Sequence, residues 1–131
     1  MTKTINVKGK RKRAVARATL SPGQGQVLIN NQSLANFSSK MLQLRIAEPL
    51  VLAPEVVKKV DLRIQVNGGG VNGQADAIRL AIARALVEHD PKLEKTFADY
   101  DRLLLVADVR RKEACKPNDS KARAKRQKSY R

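Results

Sequence analysis

Alternating apolar and polar residues predict three strands. The alternation covers residues 4–8 and 14–20, and it is most regular in VDLRIQVN, residues 60–67, where the four apolar side chains share one face. A turn at SPGQGQ, residues 21–26, is predicted to lead into VLIN, residues 27–30, as a hairpin partner. The apolar run RLLLVAD, residues 102–108, is short enough to form a central strand.

Segments with helical periodicity lie between these strands. The segment 73–90 carries an apolar stripe of Ala75, Ile78, Ile82, Ala85 and Leu86. A shorter helix is predicted over 91–99, beginning at Pro91. SLANF and KMLQLRIAEPL also have a helical pattern, and Pro49 is expected to end the second helix. Together these elements predict an α+β fold of two layers, one sheet with helices over one face.

The charge is concentrated at the two ends of the chain. The protein has 131 residues and a formal net charge of +15. Residues 1–17 carry seven basic groups and no acid, residues 110–131 carry ten basic groups and two acids, and residues 18–109 carry ten of each sign. This division predicts a globular domain over 1–109 with a basic N-terminal strand, followed by an extended basic tail over 110–131.

Two basic ends on a neutral body indicate a polyanionic partner. A solvated charged face is the alternative for either run taken alone. Nucleic acid is favoured over a membrane, because neither end has an amphipathic apolar face. Like-charge repulsion and the scarcity of apolar groups predict that residues 1–17 and 110–131 are disordered in the isolated protein.

Catalytic and metal chemistry find no support in the sequence. The single cysteine, Cys115, excludes an internal disulfide and offers no metal-ligand spacing. The single histidine, His89, is expected to cap a helix or lie on the surface. No stretch has the length and apolar character of a transmembrane helix or a signal peptide, so a soluble intracellular protein is expected. We therefore predict a binding protein with no catalytic residues, no cofactor and no metal.

The segment GGGVNG, residues 68–73, matches the glycine pattern of a dinucleotide loop. That fingerprint also needs an acid about 20 residues later at the end of the next strand, and Glu88 and Asp90 have the spacing but lie at a helix end. Two other interpretations stay open. The glycines could form a tight corner between strand and helix, or their amides could contact a nucleic-acid phosphate.

Three motifs carry a resemblance to a known family. GKRKRAVARATLSPGQG near the start, VNGGGVNGQADAIRLAIARAL in the middle and YDRLLLVADVRRKE with KARAKRQKSYR at the end occur in this order. In them the chain resembles the ninth ribosomal protein of the small subunit, in its archaeal type. The resemblance covers nearly the whole chain.

The resemblance implies a two-layer α/β fold like the second domain of ribosomal protein five. It also implies a place in the small-subunit head on 16S-type rRNA, next to neighbouring head proteins, in the cytoplasm. The basic tail would reach the peptidyl-site (P-site) tRNA during translation. At roughly 3.3 Å for each extended residue, the 22 residues from Arg110 could span about 70 Å.

Candidate site residues follow from the resemblance and the charge pattern. Those expected to bind rRNA are Lys10, Arg11, Lys12, Arg13, Arg17, Gly68, Gly69, Gly70, Arg110, Arg111, Lys112, Lys121, Arg123, Lys125 and Arg126. Those expected to bind tRNA are Lys128, Ser129, Tyr130 and Arg131. For Tyr130, stacking on a nucleotide and packing against rRNA both remain open.

Two other functional classes remain as alternatives. A free-standing chromatin protein or RNA chaperone would share the basic ends but would not sediment with small ribosomal subunits. A nucleotide-dependent enzyme would use GGGVNG and would bind NAD or ATP in calorimetry.

Overall fold

Five strands form one mixed sheet in the order β1-β2-β5-β3-β4. The computed structural model describes residues 3–127 and residue 130. The strands are β1 (Ile5–Arg11), β2 (Ala14–Pro22), β3 (Val27–Ile29), β4 (Gln32–Ser33) and β5 (Val60–Asn67). Strand β2 is antiparallel to both β1 and β5, whereas β3 is parallel to β5. The strands predicted over 4–8, 14–20 and 60–67 are confirmed, the last with its predicted bounds.

The helices cover one face of this sheet. They are α1 (Lys40–Leu52), α2 (Pro54–Val57), α3 (Val71–His89) and α4 (Leu93–Tyr100). Helix α3 packs against β1, β2 and β5, and α1 and α4 pack against α3. The predicted α+β class and the helices at 73–90 and 91–99 are therefore confirmed, with small shifts of their ends. Of SLANF, only the 3₁₀ turn Leu34–Asn36 is helical.

The core is mainly aliphatic, with Phe97 as the one fully buried aromatic side chain among the described residues, and α3 lies close to the sheet. The predicted stripe on α3 is fully buried, as are Leu20, Leu62 and Ile64 of the strands. At Gly9 of β1, an added Cβ would collide with the Ala77 carbonyl oxygen and lie 2.8 Å from the Ala81 amide nitrogen. The helix backbone thus rests directly on β1, and only glycine leaves room for it.

The prediction of a disordered segment 1–17 is wrong for residues 5–17. Strand β1 and the first part of β2 occupy this range, and Ile5, Ala14 and Ala16 are buried in the core. A protease-resistant body beginning at residue 18 would lack the surface on which α3 packs. The few apolar groups suffice because most of them, Val15 apart, point toward α3.

The segment 27–30 is not the hairpin partner of β2. Both sides of β2 are occupied, by β1 and β5. Strand β3 instead lies beside β5 and forms a hairpin with β4. Asn30 and Asn31 make that turn with φ of 50° and 65°, the left-handed conformation that a two-residue hairpin needs and that asparagine tolerates.

The predicted central strand at 102–108 is also wrong. Residues Arg102–Leu104 form a 3₁₀ turn, and Leu103 is 44% exposed. The Asp101 carboxylate accepts hydrogen bonds from the Leu103 amide at 3.0 Å and from the Arg79 guanidinium at 2.9 Å. These bonds turn the chain before an extended segment can form, and both places beside β5 are already filled.

Pro49 does not end helix α1, which continues to Leu52. A proline inside a helix removes one backbone hydrogen bond and is ordinarily unfavourable. Here Pro49 is buried with Ile46 and Leu42 on the face of α1 that turns inward. Burial of this apolar face offsets the cost of the missing bond.

The structure does not show an extended tail. In the described part of it, two short loops are closed by local hydrogen bonds. The Lys116 amide donates to the Ser120 carbonyl at 3.1 Å, and the Ala124 amide donates to the Lys121 carbonyl at 3.1 Å. The Arg123 guanidinium binds the Glu113 carboxylate at 2.6 Å, across the base of these loops.

Candidate nucleic-acid interface

Three predicted rRNA-binding segments line one groove. The β1–β2 turn, the glycine corner between β5 and α3 and the beginning of the tail form its walls. The residues that line it include Lys12, Arg13, Gly69, Gly70, Arg110, Arg111 and Lys112. Segments that are far apart in the sequence therefore form one surface, which we call the basic groove.

The first wall is a tight hairpin. Arg11 pairs with Ala14, which leaves a two-residue turn of Lys12 and Arg13. Lys12 has φ of 54°, a conformation that lysine adopts only at some cost. Both side chains of the turn are exposed. The hairpin therefore holds two cations at its tip, facing solvent.

The second wall is the glycine corner. Gly68 and Gly69 have φ of 78° and 65°, which turns the chain from β5 into α3. A Cβ at Gly68 would lie 2.8 Å from the Arg13 carbonyl oxygen, and one at Gly69 would lie 2.9 Å from the Ala14 amide nitrogen. The interpretation as a tight strand-to-helix corner is confirmed, and the glycines also let the corner lie against the hairpin.

Arg11 differs from its two neighbours, because its guanidinium points into the protein. Its side chain is 11% exposed and lies 3.0 Å from the Asp108 carboxylate and 3.6 Å from that of Asp76. It therefore connects β1 to α3 and to the chain leading into the tail. Sequence reasoning missed this role, since both carboxylates lie far along the chain.

The third wall begins at Asp108. Hydrogen bonds from Arg110, together with the positive charge of Arg11, lower the pKa of Asp108 to about 2. The side-chain bond to Asp108 raises the pKa of Arg110. Arg111 donates to the carbonyl oxygens of Asp108 and Arg110, each at 3.1 Å. The charge of Arg110 is thus partly matched within the protein. Within the described residues, no ion pair engages Lys12, Arg13, Arg111 or Lys112.

Further along the tail, two of the predicted rRNA-binding cations have acidic partners. Arg123 is paired with Glu113, and Arg126 lies 2.7 Å from Asp119. Lys121 and Lys125 are exposed. Of the predicted tRNA-binding residues, Tyr130 is 88% exposed, while Lys128, Ser129 and Arg131 lie outside the described residues.

The remaining two predicted residues, Lys10 and Arg17, lie outside the groove. Both are on the face of the sheet that the helices leave open, where Lys10 pairs across the strands with Val15 and Arg17 with Lys8. Elsewhere in the described part, no cluster of His, Cys, Asp and Glu could hold a metal ion. No described helix has the length and apolar character needed to cross a membrane.

Acidification is expected to loosen the base of the tail. The pKa of Asp108 in the fold, about 2, lies below that of the unfolded chain. The carboxylate therefore stabilises the fold above about pH 4, and this contribution is lost as the pH falls from about 4 to about 2. We expect Asp108→Asn to melt at a lower temperature than wild type at pH 7 and at nearly the same temperature near pH 2.

The matched control is Asp119→Asn, which removes an acid from an exposed pair in the tail. Its melting temperature should equal that of wild type at every pH, because exposed pairs contribute little. Equal melting temperatures for Asp108→Asn and wild type at pH 7 would contradict a stabilising ion pair between Arg11 and Asp108.

Comparison with known proteins gives a consistent result. Residues 9–131 match the family model described as ribosomal protein S9/S16. The chain is 46% identical to small ribosomal subunit protein uS9 of Methanothrix thermoacetophila over 131 residues, covering 98% of this chain and 99% of the relative. It is 50% identical to the protein of the same name from Thermoplasma acidophilum over 125 residues, covering 94% and 97%. The Methanococcus maripaludis protein is 44% identical over 133 residues, covering 98% and 99%.

Proposed function

The chain belongs to the ribosomal protein S9 family of the small ribosomal subunit, and we propose that its basic groove binds 16S-type rRNA in the subunit head. As a member it is a structural protein of the ribosome and not an enzyme, which removes the nucleotide-dependent alternative. Its archaeal type and its expected location on the small subunit agree with its relatives. The likeness to the second domain of ribosomal protein five, and neighbouring head proteins as partners, are part of the proposal.

The observation that carries this proposal is the convergence of cations on one groove. The hairpin tip, the glycine corner and the start of the tail lie together there, and Lys12, Arg13, Arg111 and Lys112 line it. Glu113 also lines the groove, but its partner is Arg123, so none of these four cations has an acidic partner among the described residues. Unmatched cations on one surface favour phosphate as the ligand. Bare amides beside Gly69 and Gly70 could add hydrogen bonds to the same phosphates.

For the tail, we propose that residues 110–131 straighten on rRNA and reach the P-site tRNA. The pairs Arg123–Glu113 and Arg126–Asp119 hold the described tail in its looped form. Their arginine side chains are 87% and 83% exposed, so each pair stabilises the loops only weakly. rRNA phosphates can therefore replace both acids, which frees the chain to extend.

Substitutions in the hairpin test the rRNA proposal. Changing Lys12 and Arg13 together to alanine should weaken binding to transcribed 16S-type rRNA and reduce the slope of log affinity against log salt by about 2, one for each lost phosphate contact. The folding stability should change little, because both side chains are exposed.

The neighbouring change Arg11→Ala is the control. It should lower the melting temperature, since Asp108 loses a partner, and leave the salt slope as in wild type. A slope that stays at the wild-type value in the Lys12 and Arg13 variant would refute binding through the groove.

A further inference from the structure

The face of the sheet opposite the helices forms a second polar surface. The strand register places Lys8, Arg17 and Gln65 in one row across β1, β2 and β5. The next row contains Asn6, Thr19 and Arg63. These six residues line a shallow concavity. Together with Lys10, we call this surface the open sheet face.

Cations predominate on the open sheet face. Its cations are Lys8, Lys10, Arg17 and Arg63, and within the described residues none of the four has an ion-pair partner. Asp61 is the only acid on the five described strands. Asp61 lies on the same side of β5 as Arg63. Its carboxylate accepts hydrogen bonds from the amides of Gln26, Gln24 and Gly25, and these bonds, with the nearby charge of Arg63, lower its pKa. Acids in the middle of the chain thus lie almost entirely on the helical side.

One pair on this face is unfavourable for the isolated fold. Lys8 and Arg17 lie directly opposite each other on antiparallel neighbours. Like charges in this arrangement destabilise a sheet. An unfavourable arrangement such as this pair, with no neighbouring acid to offset it, is typical of a functional site. The missing compensation would come from an anion outside the chain.

Protection of an exposed strand edge is a simpler explanation for part of the charge. Lysines on an edge strand prevent sheets from pairing with one another, and β1 is an edge strand. This explains Lys8 and Lys10. It does not explain Arg17 and Arg63, which lie on β2 and β5 inside the sheet.

We propose that the open sheet face binds a second segment of rRNA backbone, distinct from the segment in the basic groove. Lysine and arginine would contact phosphates, and Asn6, Thr19 and Gln65 would hydrogen-bond to sugar hydroxyls. Strands β1, β2 and β5 carry no aromatic residue, so stacking on unpaired bases is not available there. The face therefore suits the backbone of a paired rRNA helix. This inference rests on the proposed function.

The β1–β2 hairpin connects the two surfaces. Lys10 lies on the open sheet face, and Lys12 and Arg13 follow at the tip that lines the groove. RNA bound at both surfaces would therefore enclose the hairpin from two sides. The arrangement would allow one small domain to fix two rRNA segments relative to each other.

A tethered hydroxyl-radical probe separates the two surfaces. The natural Cys115 is exposed and lines the basic groove, so iron–EDTA attached there reports on the groove. In a Cys115→Ser background, Gln65→Cys moves the same probe to the centre of the open sheet face. In reconstituted small subunits, we expect each position to cleave rRNA at a different set of nucleotides. Cys115→Ser alone is the control and should give no cleavage.

The outcomes are distinct. Cleavage from Cys115 but none from Gln65→Cys would overturn this inference and leave the proposed function intact. Cleavage of the same nucleotides from both positions would also overturn it, because one rRNA segment would then serve both surfaces. If neither position cleaves rRNA, the proposed function itself fails.

Charge removal gives an independent test with a matched control. Changing Lys8 and Arg63 to glutamine should reduce the salt slope of rRNA binding by about 2. The control variant changes Lys58 and Lys59 to glutamine, which removes two exposed cations that lie off this face. Its slope should equal that of wild type. An equal reduction in both variants would mean that only the net charge matters, and would count against a defined surface.

The unfavourable pair of Lys8 and Arg17 leads to a further prediction. Arg17→Thr should raise the melting temperature of the free protein or leave it unchanged, and should weaken rRNA binding by roughly threefold to tenfold. A lower melting temperature would show that Arg17 serves the fold, which would contradict the proposal.

Discussion

Replacing Gly9 by alanine is expected to destabilise the protein by about 3 kcal/mol, which would lower its melting temperature by about 10 °C. The new Cβ would collide with the Ala77 carbonyl oxygen and lie 2.8 Å from the Ala81 amide nitrogen. Both are backbone atoms of α3, so no side-chain rotation can relieve the contact. The helix would have to move away from β1, and the apolar contacts beneath it would loosen. Thermal and denaturant unfolding would measure the loss.

The matched control is Gly73→Ala, the same change within the first turns of α3. There the nearest atoms to an added Cβ are 3.5 Å and 3.8 Å away, which is ordinary contact. Alanine is the better helix former, so this variant should gain about 0.5–1 kcal/mol. Opposite signs for the two variants would attribute the loss at Gly9 to contact with α3. Similar stabilities for both would contradict the close packing of α3 on β1.

Removal of residues 128–131 is expected to leave folding and subunit assembly unchanged and to speed dissociation of P-site tRNA from small subunits roughly tenfold. The reason is the proposed loss of phosphate contacts by Lys128 and Arg131. Phosphate contacts suit this task, because every tRNA must be held and base contacts would discriminate among them. The measurement is tRNA dissociation from purified truncated subunits at several salt concentrations.

A charge-neutral version of the same tail isolates the cause. Changing Lys128 and Arg131 to glutamine keeps the length and should give the same acceleration, with a weaker salt dependence than in wild type. If the full truncation releases tRNA at the wild-type rate at every salt concentration, the tail has no part in holding tRNA.

Sequence patterns identified the elements whose burial follows a regular period. Strand β5 alternates over its full length, and the stripe on α3 is continuous, so both were predicted closely. The position of β3 was not predicted, because both sides of β2 are occupied by β1 and β5, and β3 pairs with β5 instead. Which strands become neighbours depends on contacts across long stretches of chain, and a local pattern does not contain that information.

The candidate site shows the same limit. The family motifs indicated Lys12, Arg13 and the glycine corner, but only the fold shows that they line one groove. Arg11 had the same pattern as its neighbours, yet its partner is Asp108, at the other end of the domain. The role proposed for Arg63 rests on the strand register, which places it in the row next to that of Arg17. A sequence shows which residues are charged, whereas the direction of each side chain depends on tertiary packing.

The order of the strands also constrains when the chain can fold during its own synthesis. Strand β2 lies between β1, made just before it, and β5, made about forty residues later. A two-stranded hairpin is marginal in water on its own, and the apolar side of β1 and β2 packs mainly against α3, which ends at His89. Most of the domain must therefore be synthesised before any of it is stable, and contacts over such separations form slowly. In that interval the basic hairpin is exposed to nearby RNA, which could bind the growing chain before its core exists.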